Sequence, residues 1–271
     1  MNIQKIFMMN LYLFPPETRE AQFDEKWAFV GKKEKKCNPD DARDRFQGDI
    51  WDHAGYDPEH RLVINVVPGK RNCENTVKVV EEFKKRTDEE MIELITTDEY
   101  KPYRTAILNA YGRKVIPPHT GNPGRPCNPY MEPPENLNYA TVHKVRENGK
   151  ITDIEVKIIF GNEESVRTAL DNSSVSNHVN TSFIERNNGS DRNRNAGKVR
   201  KTYCFSKDWE IHEAVTYFTM YSYNFCRSVR TLRTKDGDGK WLNRTPAMAA
   251  GLSDHVWSLK EWITYPAVQL D

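Results

Sequence analysis

The order of hydrophobic patterns between residues 23 and 111 constrains this chain most. Residues 23–31 read as a strand closed by Gly31. Residues 48–56 read as a second, with Ile50, Asp52, Ala54 and Tyr56 alternating against Asp49, Trp51, His53 and Gly55. The apolar run Leu62-Val63-Ile64-Asn65-Val66-Val67, stopped by Pro68-Gly69, is a third. The turn signals Asn38-Pro39-Asp40-Asp41 and Asp57-Pro58-Glu59 fold these into an antiparallel meander. A helix over 73–86 follows, N-capped by Asn72 and burying Cys73, Val77, Val80 and either Phe83 or the stem of Lys84. Residues 91–97 form a fourth strand, apolar enough to lie parallel to the first. Residues 100–111 form a second helix, with Tyr103, Ile107 and Ala110 on one face and Gly112 as its C′ stop.

This succession resembles the opening of a ribonuclease-H-like domain, an α/β fold with a mixed five-stranded sheet and flanking helices. In that layout the first and fourth strands are neighbours at the sheet centre, which brings Asp24 and Asp98 together. Seven prolines between 113 and 138, among them Pro117, Pro118 and Pro123, mark a loop-rich insertion, and 161–179 continues it. Between the two, 139–147 and 151–160 pair as a hairpin around Asn148-Gly149, a type I′ signal. A long aromatic helix is expected over 208–225, with Ile211, Val215, Phe218 and Ser222 on one stripe and Ala214, Tyr221 and Phe225 beside it. Residues 236–239 read as a loop, and 245–251 as a short helix with Pro246 at its first position. The expected organisation is an N-terminal lead (1–22), a catalytic domain (23–207) and a C-terminal helical extension (208–271).

Composition narrows the classes. Eleven Phe, twelve Tyr and six Trp supply a core, while a net charge of only +1 excludes a simple polycation. The charge is uneven: residues 1–179 carry 26 Lys+Arg against 29 Asp+Glu, and 180–271 carry 14 against 10. An acidic half joined to a basic half suits a polyanionic substrate held near a metal. Five scattered cysteines without a Cys-x-x-Cys pair argue against structural zinc and against a disulfide framework. The run Phe7-Met8-Met9-Asn10-Leu11-Tyr12-Leu13-Phe14 is too short and interrupted for a signal peptide, and no run reaches the length of a membrane span. A cytoplasmic, nucleoid-associated protein is expected.

Three acids stand in distinct settings. Asp24 lies within an apolar strand, Asp98 closes one, and Glu185 sits in Thr181-Ser182-Phe183-Ile184-Glu185-Arg186-Asn187-Asn188. Singly, each has an ordinary reading: a strand surface, a helix N-cap and a solvated helix face. Jointly they suit divalent metal, because clustered carboxylates repel unless they bind protons or cations, and oxygen-only ligands favour Mg²⁺ or Mn²⁺. Two such ions activate a water or 3′-hydroxyl and stabilise the leaving oxygen. Strand alternation is expected to point Glu25 and Glu99 away from their neighbours' faces. Glu185, Asn188 and Arg192 share one helical face. Arg186, Arg192, Arg194, Lys198, Arg200 and Lys201 form the candidate DNA-backbone grip.

The words around these acids resemble the catalytic blocks of DDE transposases of the insertion-sequence-one type. Asp24-Glu25-Lys26-Trp27-Ala28-Phe29-Val30-Gly31-Lys32-Lys33, Thr97-Asp98-Glu99-Tyr100 and Phe183-Ile184-Glu185-Arg186-Asn187-Asn188 carry the likeness. Val199-Arg200-Lys201-Thr202, Phe205-Ser206-Lys207, Tyr223-Asn224-Phe225-Cys226-Arg227 and Thr245-Pro246-Ala247-Met248-Ala249-Ala250-Gly251-Leu252 extend it, in order, over 24–112 and 180–257. The resemblance implies metal-dependent cleavage and joining of double-stranded DNA at element ends, with Asp24, Asp98 and Glu185 as the Mg²⁺-binding triad, acting as a homo-oligomer on DNA. Only 23 residues precede Asp24, without zinc-ligand spacing, so end recognition is expected from an N-terminal DNA-recognition partner or a frame-fused domain. The alternatives are a non-catalytic DNA-binding remnant or inhibitor of a full-length transposase, and a nuclease on the same fold.

Overall fold

A computed structural model describes residues 16–117 and 128–265. The apolar run at 7–14, His119, Pro118, Pro123, Pro126 and Cys127 lie outside the described residues. Strands β1 (Glu20–Val30), β2 (Gly48–Asp57) and β3 (Leu62–Gly69) form the expected antiparallel meander. Helix α1 (Cys73–Arg86) begins where Asn72 accepts the Asn75 backbone N–H. Strand β4 (Leu94–Asp98) returns parallel to β1, and α2 (Pro102–Tyr111) follows.

The sheet has six strands rather than five. Strands β5 (Arg113–Val115) and β6 (Tyr130–Glu132) pair as a small separate ribbon inside the stretch expected to be loop. The hairpin of β7 (Tyr139–Glu147) and β8 (Lys150–Phe160) then joins the main sheet, giving the order β3-β2-β1-β4-β7-β8. Asn148 and Gly149 both adopt positive φ (50° and 77°), as a type I′ turn requires. Strand β7 lies parallel to β4, and β8 adds an antiparallel edge. The second expected insertion contains α3 (Glu163–Asp171), closed at its start by an Asn162–Ser165 capping box and packed through Val166 and Ala169 on Leu94.

Helices cover both faces of the sheet. On one, Val79, Val80 and Phe83 of α1 and Tyr103, Ala106 and Ile107 of α2 meet Ala21, Phe23, Leu62 and Ile64. Cys73 is exposed instead of buried, because Thr76, Val79, Val80 and Phe83 define the inward stripe. Gly112 caps α2 with φ −74°, so it is not a left-handed stop. A Cβ there would lie 2.2 Å from the Leu108 carbonyl oxygen, and this close approach is what selects glycine.

On the other face lie α4 (Ser182–Arg194), α5 (Trp209–Cys226), α6 (Pro246–Ala249) and α7 (Leu259–Thr264). Ile184, Met220, Tyr221, Phe225, Ala247 and Trp262 pack there on Ala54, Tyr56, Val63 and Val66. The C-terminal extension is thus the second wall of the core. The first half of its aromatic helix is rotated from the expected stripe: Ile211 and Val215 are exposed while His212, Thr216 and Thr219 are buried, and only Ser222 of that stripe is buried as expected. Buried charges of the sheet, described below, draw the polar residues inward. Residues 236–239 form the turn between β9 (Thr234–Lys235) and β10 (Trp241–Leu242). No helix among the described residues is long and apolar enough to cross a membrane.

Candidate metal centre

The site forms where β4 stops and β1 continues. Phe23 pairs with Thr97, so Asp98 ends its strand beside Asp24. Carboxylate oxygens of Asp24, Glu25 and Asp98 lie within 4.8 Å of one another. Asp24 accepts the Asn188 side-chain amide (2.8 Å) and the Glu25 backbone N–H (2.9 Å). Burial first, then the charge of Asp98, pushes Asp24 up to about 6. Burial and Asp98 likewise push Glu25 up to about 7, against the pull of Arg71. Asp98 is raised too, chiefly by burial, with Tyr100 and Arg71 opposing.

Glu25 corrects the expectation from strand alternation. It does point to the opposite sheet face from Asp24, toward Tyr103 of α2. Because β4 ends at this level, however, no strand separates the two faces, and Asp98 meets both carboxylates. Arg71, at the turn between β3 and α1, was also outside the sequence reading. Its guanidinium lies 3.2 Å from Glu25 and 3.8 Å from Asp98 and stacks on the Tyr100 ring at 4.0 Å. Trp51 pairs with both Trp27 and Gly69, so this turn falls at the same end of the sheet as the acids. The sequence signal that could have found it is the turn Pro68-Gly69 two residues before Arg71.

Glu185 is adjacent but outside the group of three. Its carboxylate accepts from Thr181 Oγ1 (2.6 Å) and pairs with Lys144 of β7. Its charge still contributes to raising Asp24 and Asp98. Glu99 points away, as expected, and is engaged by Lys157 (2.5 Å) and His143 (2.7 Å).

Helix α4 is registered against β1 by three residues on one strand face. Gln22 accepts the Ile184 N–H (3.0 Å) and donates to the Asn180 carbonyl (2.7 Å). Asp24 takes Asn188, and Lys26 bonds Asp191. A two-residue strand period of about 6.6 Å thus matches successive helical turns of about 5.4 Å. The last rung is a wholly buried ion cluster. Lys26 is also 3.3 Å from Asp52, while Lys198 bonds both Asp52 and Thr216, with His212 Nε2 3.6 Å from Asp52. Burial alone would raise Asp52, but Lys198 and Lys26 reverse this and hold it well below the usual carboxylate range. Burial lowers Lys198 to about 8.

The six basic residues therefore do not form one grip. Lys198 is buried in the ion cluster and is unavailable to a phosphate. Arg194 stacks on Tyr223 at 4.4 Å and stands 3.6 Å from Asp191. Arg192 is half-buried on the acid side, within the fields of Arg200 and Asp24. Arg186, Arg200 and Lys201 are exposed. The helix ends at Arg194, and a turn of 3₁₀ helix (Ala196–Lys198) redirects the chain before Arg200.

Three carboxylates against one guanidinium leave local negative charge uncompensated, and oxygen donors at this spacing fit a hard divalent cation. Comparison with known protein families and with curated proteins finds no match to this chain.

Proposed function

We propose that the protein is a DDE-type transposase catalytic domain on a ribonuclease-H-like fold, cutting and joining double-stranded DNA with Mg²⁺ or Mn²⁺ at the Asp24–Asp98 site. The observation that carries this reading is the convergence of Asp24 and Asp98, 74 positions apart in the chain, at one strand end with Glu185 beside them on α4. Bound there, the metal would polarise a phosphoryl oxygen and activate a water or 3′-hydroxyl. Asp24 and Asp98 would hold it, with Glu185 completing the site once released by Lys144. Asn188 orients Asp24, and Arg71 limits the repulsion among the acids before metal enters. Arg192, within the field of Asp24, and Arg200 near it would meet the phosphate backbone.

The test is Mg²⁺-dependent nicking and strand transfer on plasmid DNA by Asp24→Ala, Asp98→Ala and Glu185→Ala. All three should lose turnover and keep duplex binding, since the ligands act most strongly in the transition state. Normal turnover by the Glu185 variant would remove it from the site and make Glu25 the third ligand. One observation favours a second reading, an inhibitor of an active transposase: Glu185 is held by Lys144 away from the other acids. A wild-type chain that binds duplex but never nicks it would support that reading instead.

A further inference from the structure

Helix α4 has a second functional flank. Positions 183, 186, 187, 190 and 194 turn away from Glu185 and line a half-open cleft of about 610 Å³, closed on its far side by Tyr56, Arg61 and the chain following α5. We propose that this cleft binds a single strand of nucleic acid, stacking a base inside and holding the flanking phosphates at its rim. This deepens the transposase reading and rests on it for the identity of the strand.

Three observations carry the inference. The first is charge: Arg61, Arg186, Arg194, Arg227 and Arg230 all line the cleft, and no acidic residue does. Of these, Arg186, Arg227 and Arg230 are exposed at the rim. The second is aromatic surface. Phe183 and Tyr223 form walls, each already carrying a stacked guanidinium, Arg61 at 3.9 Å and Arg194 at 4.4 Å. Arginine on aromatic faces is the surface on which unpaired bases stack. The third is Asn187. It is only 3 % exposed, yet neither its amide nitrogen nor its oxygen has a hydrogen-bond partner, and it lines the cleft.

A buried amide with both functions unmet costs free energy until a partner arrives. A donor and an acceptor side by side match a base edge better than a bare phosphate, which offers acceptors only. The cavity has the volume of a small-ligand site. It is enclosed enough for a splayed nucleotide, whereas a duplex keeps its bases stacked inside and presents phosphates. Crossing α4, about 10 Å wide, separates the cleft from the acids. A strand unpaired at the reacting phosphate therefore has a receptor on the neighbouring flank.

The experiment uses the full chain in EDTA, with fluorescence anisotropy of a labelled single-stranded oligonucleotide and of a hairpin duplex of the same sequence. The variants are Arg227→Gln with Arg230→Gln, two exposed side chains of the rim, and separately Asn187→Ala. The arginine pair should weaken single-strand binding by about tenfold while changing duplex binding less than about twofold. Asn187→Ala should weaken the single strand and leave the duplex unchanged, with circular dichroism confirming the fold. Equal losses for both probes, or no loss for either, would overturn the proposal. So would displacement of the oligonucleotide by inorganic phosphate but not by chloride at equal ionic strength, which marks a plain anion pocket. Because binding is read without metal, a chain that binds the oligonucleotide in EDTA but fails to nick plasmid in Mg²⁺ sinks the transposase reading and leaves the cleft standing.

Discussion

Removing one charge from the acid cluster should stabilise the metal-free protein while abolishing its response to metal. The substitution Asp98→Asn keeps the side-chain shape and the oxygen that accepts the Tyr100 N–H at 3.0 Å. Near about pH 8 Asp24 and Glu25 are both ionised, since their values stand at about 6 and about 7. At separations up to 4.8 Å each repulsion from Asp98 is worth about 3.5 kcal/mol at an effective dielectric near 20, about 7 kcal/mol for the two. Against this, the attraction to Arg71 at 3.8 Å is lost, about 4 kcal/mol on the same scale. The remainder, about 3 kcal/mol, is roughly halved by solvent because the Asp98 side chain is 43 % exposed. The variant should therefore be about 1–2 kcal/mol more stable in EDTA, a rise in Tm of roughly 2–5 °C. Saturating Mg²⁺, at about 100 times its Kd, should add about 2.7 kcal/mol to the wild type and almost nothing to the variant. Differential scanning fluorimetry with and without Mg²⁺ measures both. A variant less stable than wild type in EDTA, or one that Mg²⁺ stabilises equally, would refute the electrostatic account of this cluster.

Lys26→Met leaves Asp191 without its bonded ammonium and Asp52 with Lys198 as its remaining ammonium, and should cost about 3–5 kcal/mol in urea unfolding. Adding Asp191→Leu should recover much of that loss, and a strictly additive pair would argue against coupling. The metal-free protein should lose stability as pH rises from about 4 to about 7. Asp24 and Glu25 have folded values above their unfolded ones, so the folded state binds more protons in that window, worth at most about 3 kcal/mol for each group. Asp52 and Asp191 are depressed and act in the opposite sense, losing their contribution as pH falls below about 4. Urea midpoints across pH in EDTA test this, and a flat profile between those limits would contradict it. For duplex binding, Arg192→Gln with Arg200→Gln should reduce the slope of log K against log salt by about 1.8, two contacts at about 0.9 each. Lys198→Met should leave that slope unchanged and lower stability instead, and a reduced slope would place Lys198 on the DNA.

Much of the framework was legible in the sequence because it rests on local chemistry. Alternation, the Pro68-Gly69 stop, the Asn72 cap and the Asn148-Gly149 turn fixed the meander, α1 and the β7–β8 hairpin, each within a few residues. The nearness of Asp24 and Asp98 was expected from the resemblance of this element order to the opening of a ribonuclease-H-like domain, and the pairing of β4 with β1 brings it about. What the sequence could not supply was how strand ends line up and which face a helix turns inward. Glu25 enters the acid group only because β4 stops at Asp98, and Arg71 only because the β3–α1 turn reaches that level. Lys198 looked like one more exposed cation in a basic run. It is buried because Asp52, on β2, needs a counter-charge, and the same need turns His212 and Thr216 of α5 inward in place of Ile211 and Val215. Charges paired across 146 positions are invisible to patterns of period 2 or 3.6, since such pairing depends on distance in space and on burial, which only the packed chain defines.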